Sequence, residues 1–307
     1  MQRLDKIFNS DEIIISGGTG MIGTSIEDKF NTFGLKTKIL TRNPHLENHF
    51  QWSPYENRID SKVLHNSKIW IHLSGASIAS KRWTEKRKIE LVESRVRSTR
   101  FLHEVLSAKK HSIEHVIFLS ASGFYPFNKD EILKETSPSG IDYIGDLGSK
   151  WETEMKKVAQ LVPRISIIRP GIVLAKNGGA YKEMVKKRIL GFMGIPGSGK
   201  QFVPWIHIED LIRQISFLIS GKHEGIFNAT ANENTTMKEL ISCINNHQNI
   251  RLPLIKIPES LMRIALGEMS LILCGSQKLS NEKIKSLGFN FKYETIDQAI
   301  KEIESHE

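Results

Sequence analysis

The segment Ile13-Ile14-Ile15-Ser16-Gly17-Gly18-Thr19-Gly20-Met21-Ile22-Gly23 constrains this chain more than any other. Its β-branched start reads as a strand, and the residues after Gly20 read as a helix. Between them Gly17, Gly20 and Gly23 fall at the spacing G-x-x-G-x-x-G. The first glycine of such a turn adopts dihedrals that a side chain resists. The second lets the backbone approach a pyrophosphate, and the third lets helix and strand pack closely. The helix start, at Met21, Ile22 and Gly23, then offers free N–H groups and a positive dipole end to phosphate oxygens. A glycine pattern alone is weak evidence; the strand before it and the helix after it supply the context of a dinucleotide site.

Strand and helix alternate along most of the chain, as a parallel sheet with crossover helices requires. Strands are expected at Glu12 to Ser16, Lys36 to Thr41, Ile69 to Leu73, His115 to Leu119, Ile165 to Ile168 and Ile226 to Ala229. Helices are expected from Met21 to Phe33, from near Thr84, from Leu147 to Leu161 and from Ile208 to Ile219. In the second of these, Ile89, Val92, Val96, Leu102 and Val105 recur at helical spacing and predict one apolar face. Glycines and prolines cluster between Gly191 and Gly199, and the tail from Ile250 reads as a small α+β lobe. The expected fold is α/β, a Rossmann-type doubly wound sheet over residues 1–245 with a small C-terminal α+β lobe over 246–307.

Charge and cysteine content narrow the function. The net charge of +9 suits an anionic ligand, but Lys81-Arg82, Lys86-Arg87-Lys88, Lys109-Lys110 and Lys186-Lys187-Arg188 are dispersed. No basic block or aromatic-interleaved motif points to nucleic acid. Cys243 and Cys274 are the only cysteines and lack familiar ligand spacing, so neither a metal nor a disulfide framework is expected. Met1 to Ser10 lacks an apolar signal core, and Leu261 to Leu273 is too short and too charged to span a bilayer. A soluble, cytoplasmic protein acting on a small molecule is expected; a homodimer is compatible with the sequence.

The strand ends carry the chemistry. Enzymes that prefer NAD place a carboxylate after the second strand to bind the ribose 2′-hydroxyl. Here that position reads Thr41-Arg42-Asn43, and Arg42 matches a 2′-phosphate in charge and geometry. NADP(H) is therefore the expected cofactor. Leu73-Ser74-Gly75 and Ser120-Ala121-Ser122 end the next two central strands, where ligands of open α/β sheets bind. Ser120 is assigned to the cofactor crevice, and Ser122 to a substrate carbonyl.

With these segments in hand, the chain resembles the extended short-chain dehydrogenase/reductase superfamily, also called the NAD-dependent epimerase/dehydratase family. More narrowly, it is similar to the atypical, sugar-nucleotide-epimerase-like YfcH subgroup. Matching segments include the glycine turn, Thr41 to Pro44, His72 to Ile78, Lys81 to Thr84, Arg169 to Leu174, Gly197 to Gln201, Trp205 to Leu211, Ala265 to Met269 and Leu287 to Phe291. Active members of the superfamily carry Tyr-x-x-x-Lys on the helix after the fourth strand. This chain departs from that pattern. Tyr143 is followed four residues later by Leu147, and the register anchored on Trp151-Glu152 places Ile144 and Gly148 at the two positions. Lys150 is seven residues from Tyr143, off the helical spacing.

The departure has a chemical direction. A free phenol has a pKa of about 10, so roughly one in a thousand is ionised at pH 7. It is a poor base but a competent proton donor, which favours reduction by NADPH over alcohol oxidation. Tyr125 and Tyr143 are the candidate donors, with Ser122 orienting a carbonyl. Arg82, Trp83, Arg95 and Lys200 are candidate substrate-side or lobe-packing residues. Gly194 to Lys200 mimics a P-loop, but Gln201 stands where a Ser or Thr should bind magnesium. His207 is expected to be a structural histidine at a helix entry. Two readings stay open: a reductase or epimerase of a small carbonyl or sugar-nucleotide-like compound, and a non-catalytic NADPH-binding sensor or assembly protein.

Overall fold

The computed structural model describes residues 12–127, 131–186, 188–189 and 191–305. The first ten residues and Lys187, read above for targeting and charge, lie outside them. β1 (Glu12–Ser16) leads through the glycine turn into α1 (Met21–Asn31), then β2 (Thr37–Thr41), β3 (His49–Ser53), β4 (Arg58–Ile59) and β5 (Ser67–His72). After α2 (Glu85–Ala108) come β6 (His115–Leu119), β7 (Ile132–Leu133), α3 (Tyr143–Lys157), β8 (Arg164–Pro170) and β9 (Ile172–Ala175). Next follow α4 (Gly179–Lys186), β10 (Arg188–Ile189), β11 (Phe192–Pro196), β12 (Trp205–His207), α5 (Ile208–Ser220) and β13 (Gly225–Ala229). The chain ends in α6 (Met237–His247), β14 (Leu254–Ile257), α7 (Glu259–Leu266), α8 (Leu271–Cys274), β15 (Lys278–Leu279), α9 (Glu282–Ser286) and α10 (Ile296–Ser305).

The main sheet has the order β13-β8-β6-β5-β1-β2-β3-β4 and is parallel except for the β3–β4 pair. The expected Rossmann-type architecture is therefore borne out. Because side chains alternate across a strand, Ile13 and Ile15 point to one face while Ile14 points to the other. The first face packs Ile26 and Phe30 of α1 and Leu211, Ile215 and Leu218 of α5. The second packs Phe101, Leu102 and Val105 of α2 and Trp151 and Met155 of α3. Coverage on both sides explains why these strands are continuously apolar.

A further core joins Leu174, Met193, Ile195 and Trp205 to Leu240, Ile241, Ile244 and Ile300. Its small sheet pairs β11 with β14 in parallel, so residues on both sides of position 245 build it. Among the described residues, no helix is long and apolar enough to cross a membrane.

Two helices differ from expectation. α3 starts at Tyr143 rather than Leu147, because Asp142 caps it by accepting from the N–H groups of Ile144 and Gly145, each at 3.0 Å. In α2 the buried face runs through Leu91, Ser98, Thr99, Leu102 and Val105, while Ile89 is 64% exposed. Serine and threonine face inward there because Ser98 Oγ, Thr99 Oγ1 and His72 Nε2 meet at 3.4 Å, and Trp151 Nε1 donates to Thr99.

Candidate active site

β1 and β5 are neighbours, so their C-terminal ends bring the glycine turn beside Leu73, Ser74 and Gly75. Leu73 N–H donates to Ser16 O at 2.8 Å. Gly17 has φ 77°, and a Cβ there would lie 2.9 Å from the Leu73 carbonyl carbon. A Cβ on Gly23 would come within 2.4 Å of Gly18 Cα. Gly20 differs: its Cβ would meet only Gly17 O, at an ordinary 3.4 Å. The first and third glycines are thus demanded by the protein's own backbone, whereas the second leaves open space at the mouth of α1. No side chain caps α1, and its first turn holds no acid, so Met21, Ile22 and Gly23 present amides and a positive dipole end to that space. This is a cradle that fits a diphosphate. Met21 also packs against the Gly178-Gly179 loop, where a Cβ on either glycine would lie 3.0 or 2.9 Å from its side chain.

Thr41 ends β2, with its hydroxyl accepting from Asn43 N–H at 3.3 Å. Arg42 is exposed; its carbonyl accepts from Gln51 Nε2, and its guanidinium has no ion-pair partner among the described residues. Arg95, expected on the substrate side or in lobe packing, packs against the protein's own backbone. Its guanidinium donates to Ala76 O at 2.9 Å, lies over Trp151 at 5.3 Å, and would sit 3.3 Å from a Cβ on Gly75. It braces the Ser74–Ala76 loop, and burial draws its pKa down to about 10.

The serine and tyrosine candidates separate sharply. Ser120, expected at the cofactor crevice, is buried and commits its hydroxyl proton to Glu152 at 2.8 Å. Glu152 forms a bidentate pair with Arg169, both contacts at 2.7 Å. Arg169 donates to the Tyr125 hydroxyl (2.8 Å), which donates to Asn228 Oδ1 (2.7 Å). Tyr125 is fully buried, and burial pushes its phenol up to about 12 despite Arg169. The structure thus overturns Tyr125 as a proton donor to substrate: it is a member of a closed polar network. Tyr143 is half-buried and donates to Lys88 O at 2.9 Å. Burial raises its pKa although Arg95, Lys88 and Arg87 pull the other way. Ser122 is half-buried, and its hydroxyl carries no hydrogen bond among the described residues.

The missing lysine has a steric counterpart. A Cβ on Gly148 would lie 2.9 Å from Phe124 Cα, and one on Gly145 would lie 2.3 Å from Gly140 O. α3 therefore sits against the Ser122–Phe124 turn where a lysine side chain would need room. Lys150 is exposed and pairs with Asp146 at 2.6 Å.

On the expected substrate side, a cavity of about 250 Å³ is lined by Trp83, Tyr143, Glu259, Arg263, Glu268 and Ser270, among others. Trp83 is buried, donates to Ile78 O at 2.9 Å and meets Tyr143 edge-on at 5.3 Å. Arg82 lies over Gly267, where a Cβ would fall 3.1 Å from its Nε; it packs the lobe. Lys200 is exposed in a turn at whose end Gln201 donates to Pro196 O and Leu273 O, and no helix follows. His207 caps α5 by accepting from Glu209 N–H at 3.2 Å, the structural role expected. Glu152, Asn228 and Gln277, which donates to Tyr125 O at 2.9 Å, stand outside the expected site residues. An acid on the inward face of α3 and an arginine inside an apolar strand were the available signals.

A doubly wound parallel sheet with an open glycine turn at its switch point defines the Rossmann class of dinucleotide folds. A profile of the NAD dependent epimerase/dehydratase family matches residues 13–142, and a domain of unknown function, DUF1731, matches 257–303. An epimerase family protein of Staphylococcus aureus (strain MRSA252) is 33% identical over 305 residues, covering 95% of this chain and 98% of that protein. One from Staphylococcus epidermidis is 32% identical over 305 residues, covering 94% and 98%. The crystal structure of human epimerase family protein SDR39U1 (isoform 2) with NADPH superposes with a TM-score of 0.85 at 25% identity, covering 96% and 99%. MoeE5 in complex with UDP-glucuronic acid and NAD shares the fold at 16% identity and a TM-score of 0.77, covering 96% and 98%. The chain belongs to the NAD-dependent epimerase/dehydratase family.

Proposed function

We propose that this protein binds NADP(H), with its diphosphate against the α1 amides and its 2′-phosphate against Arg42. The observation that carries the reading is the exposed Arg42 guanidinium just beyond β2, without an ion-pair partner among the described residues, together with an α1 start that Gly20 keeps open. The NADPH in the human SDR39U1 structure supports it. The full-length coverage of the staphylococcal relatives and the C-terminal DUF1731 match support placing the chain in the YfcH-like subgroup.

The reaction that the remaining groups can serve is reduction of a small carbonyl or sugar-nucleotide-type compound. NADPH supplies hydride when bound. Tyr143 stays protonated at neutral pH, because burial raises its pKa, so it is no base; to act as a donor its hydroxyl would leave its bond to Lys88 O. Ser122, half-buried and with no hydrogen bond to its hydroxyl among the described residues, is the group to orient a carbonyl. A second reading, cofactor binding without turnover, is favoured by Gly148, whose contact with Phe124 leaves no place for the usual lysine.

Calorimetry with both cofactors tests the binding. Arg42→Ala should weaken NADPH by about ten- to a hundredfold, the worth of a charge-assisted contact of about 1.5–3 kcal/mol. NADH affinity should not move. An unchanged preference would remove Arg42 from the site. A panel of carbonyl compounds, followed by NADPH consumption, then separates a reductase from a binding protein.

A further inference from the structure

Cys243 and His247 are one helical turn apart on α6, and Asp297 stands in the first turn of α10. The three donor atoms lie within 4.8 Å of one another, and His247 Nε2 is 2.9 Å from Asp297 Oδ1. A tetrahedral ion with bonds of 2.0–2.3 Å holds its ligands about 3.3–3.8 Å apart, so small side-chain adjustments close the set. We propose that Cys243, His247 and Asp297 form a site for a borderline-soft divalent cation of the zinc class.

The donor set selects the ion. One sulfur, one imidazole nitrogen and one carboxylate suit zinc or cobalt, whereas calcium and magnesium require oxygen ligands. The surroundings favour a cation. His247 is the last residue of α6, at the negative end of its dipole. Glu233 adds negative charge at the same junction, where it accepts from Ile296 N–H at 2.7 Å. Asp297 is 72% exposed, which leaves an approach path and room for a water as fourth ligand. Cys243, half-buried against the lobe core, supplies the fixed end. Cys243 and His247 stand at an ordinary i, i+4 helical spacing and the aspartate lies fifty residues further on, so the cluster forms only in the fold and leaves no ligand motif in the sequence. Its consequence is mechanical: a bound ion ties the last helix of the chain to α6.

Cobalt tests this directly. The full-length, reduced, metal-free protein is titrated with Co²⁺, and one equivalent should produce a near-ultraviolet thiolate-to-cobalt charge-transfer band that Zn²⁺ abolishes. Cys243→Ser should lose the band and Cys274→Ser should keep it. His247→Gln and Asp297→Asn, both at partly or fully exposed positions, should weaken binding by at least about tenfold, a loss that removing a group that merely supports a ligand can already cause. Zn²⁺ should raise the unfolding temperature of the wild type but of neither His247→Gln nor Asp297→Asn at the same concentration. No band in the wild type, a band that survives Cys243→Ser, or unchanged affinity in His247→Gln and Asp297→Asn would overturn the assignment.

Discussion

Three glycines in one turn answer to different constraints. Gly17 and Gly23 are fixed by contacts inside the protein, at φ 77° against Leu73 for the first and against Gly18 for the second. Gly20 has an ordinary φ of −83° and room for a methyl group. Gly23→Ala should therefore destabilise the fold by about 1–3 kcal/mol through overpacking, read by urea unfolding. Gly20→Ala should stay within about 1 kcal/mol of wild type, the scale of an N-cap change, yet lose affinity for NADPH. If Gly20→Ala binds NADPH as the wild type does, the mouth of α1 is not the diphosphate site. Tyr125 gives the converse case. Its hydroxyl bridges buried Arg169 and Asn228, so Tyr125→Phe leaves both short of a partner. It should cost about 1–3 kcal/mol of stability while NADPH affinity holds. A loss of binding with stability intact would return Tyr125 to the crevice.

At the scale of elements, α3 decides what chemistry the crevice retains. Its glycines at 145 and 148 let it lie against Gly140 and Phe124. Installing the family's lysine by Gly148→Lys should lower stability by about 1–3 kcal/mol and create no alcohol oxidation, because the helix must first move away. Thermal unfolding and an NADP⁺ assay would read both halves, and a stable, oxidising variant would contradict the packing argument. The start of α3 was hidden in the sequence because Gly140 and Gly145 interrupt the helical pattern ahead of Leu147, whereas the Asp142 cap that opens the helix is a local signal available in principle. β1, β5 and β6 were legible because both of their faces are covered, which leaves uninterrupted apolar runs. β3 and β4 were not, since His49-Phe50-Gln51-Trp52 mixes polar and aromatic residues at the sheet edge. The glycine turn was readable because its chemistry is contiguous. The Glu152–Arg169–Tyr125–Asn228 network was not, because its members are brought together only by the crossing of α3, β8 and β13.

Across the whole molecule, the central sheet carries two histidines that fold neutral. His72 on β5 is fully buried, with Nδ1 2.6 Å from Ser16 Oγ and its ring against Trp52 and Phe118. Burial drives its pKa down to about 3. His115 on β6, with Nε2 2.8 Å from Ser166 Oγ, is brought to about 4 by burial, helped by Arg164 and His223. In the unfolded chain both titrate near 6.5. Above that pH neither state binds the proton and these groups impose no cost. As pH falls below about 6.5 the unfolded chain takes up protons that the fold refuses, so stability declines until the folded values near 4 and 3 are reached. For His72 alone, the drop from pH 6.5 to pH 5 is worth about 2 kcal/mol, at 1.36 kcal/mol per unit. Glu154 and Glu209, whose pKa values are lowered because Arg100, Lys157 and Lys292 outweigh burial, add their loss only below the ordinary carboxylate range. The two windows are therefore separable. Urea unfolding at pH 7 and pH 5 should show the wild type losing stability in the histidine window, and His72→Gln losing about 2 kcal/mol less. Equal losses in both proteins would mean that His72 is protonated in the fold. A ligand that binds only the folded state opposes this acid loss, so NADPH, if it binds at the glycine turn, should raise the pH 5 midpoint with the logarithm of its concentration above Kd.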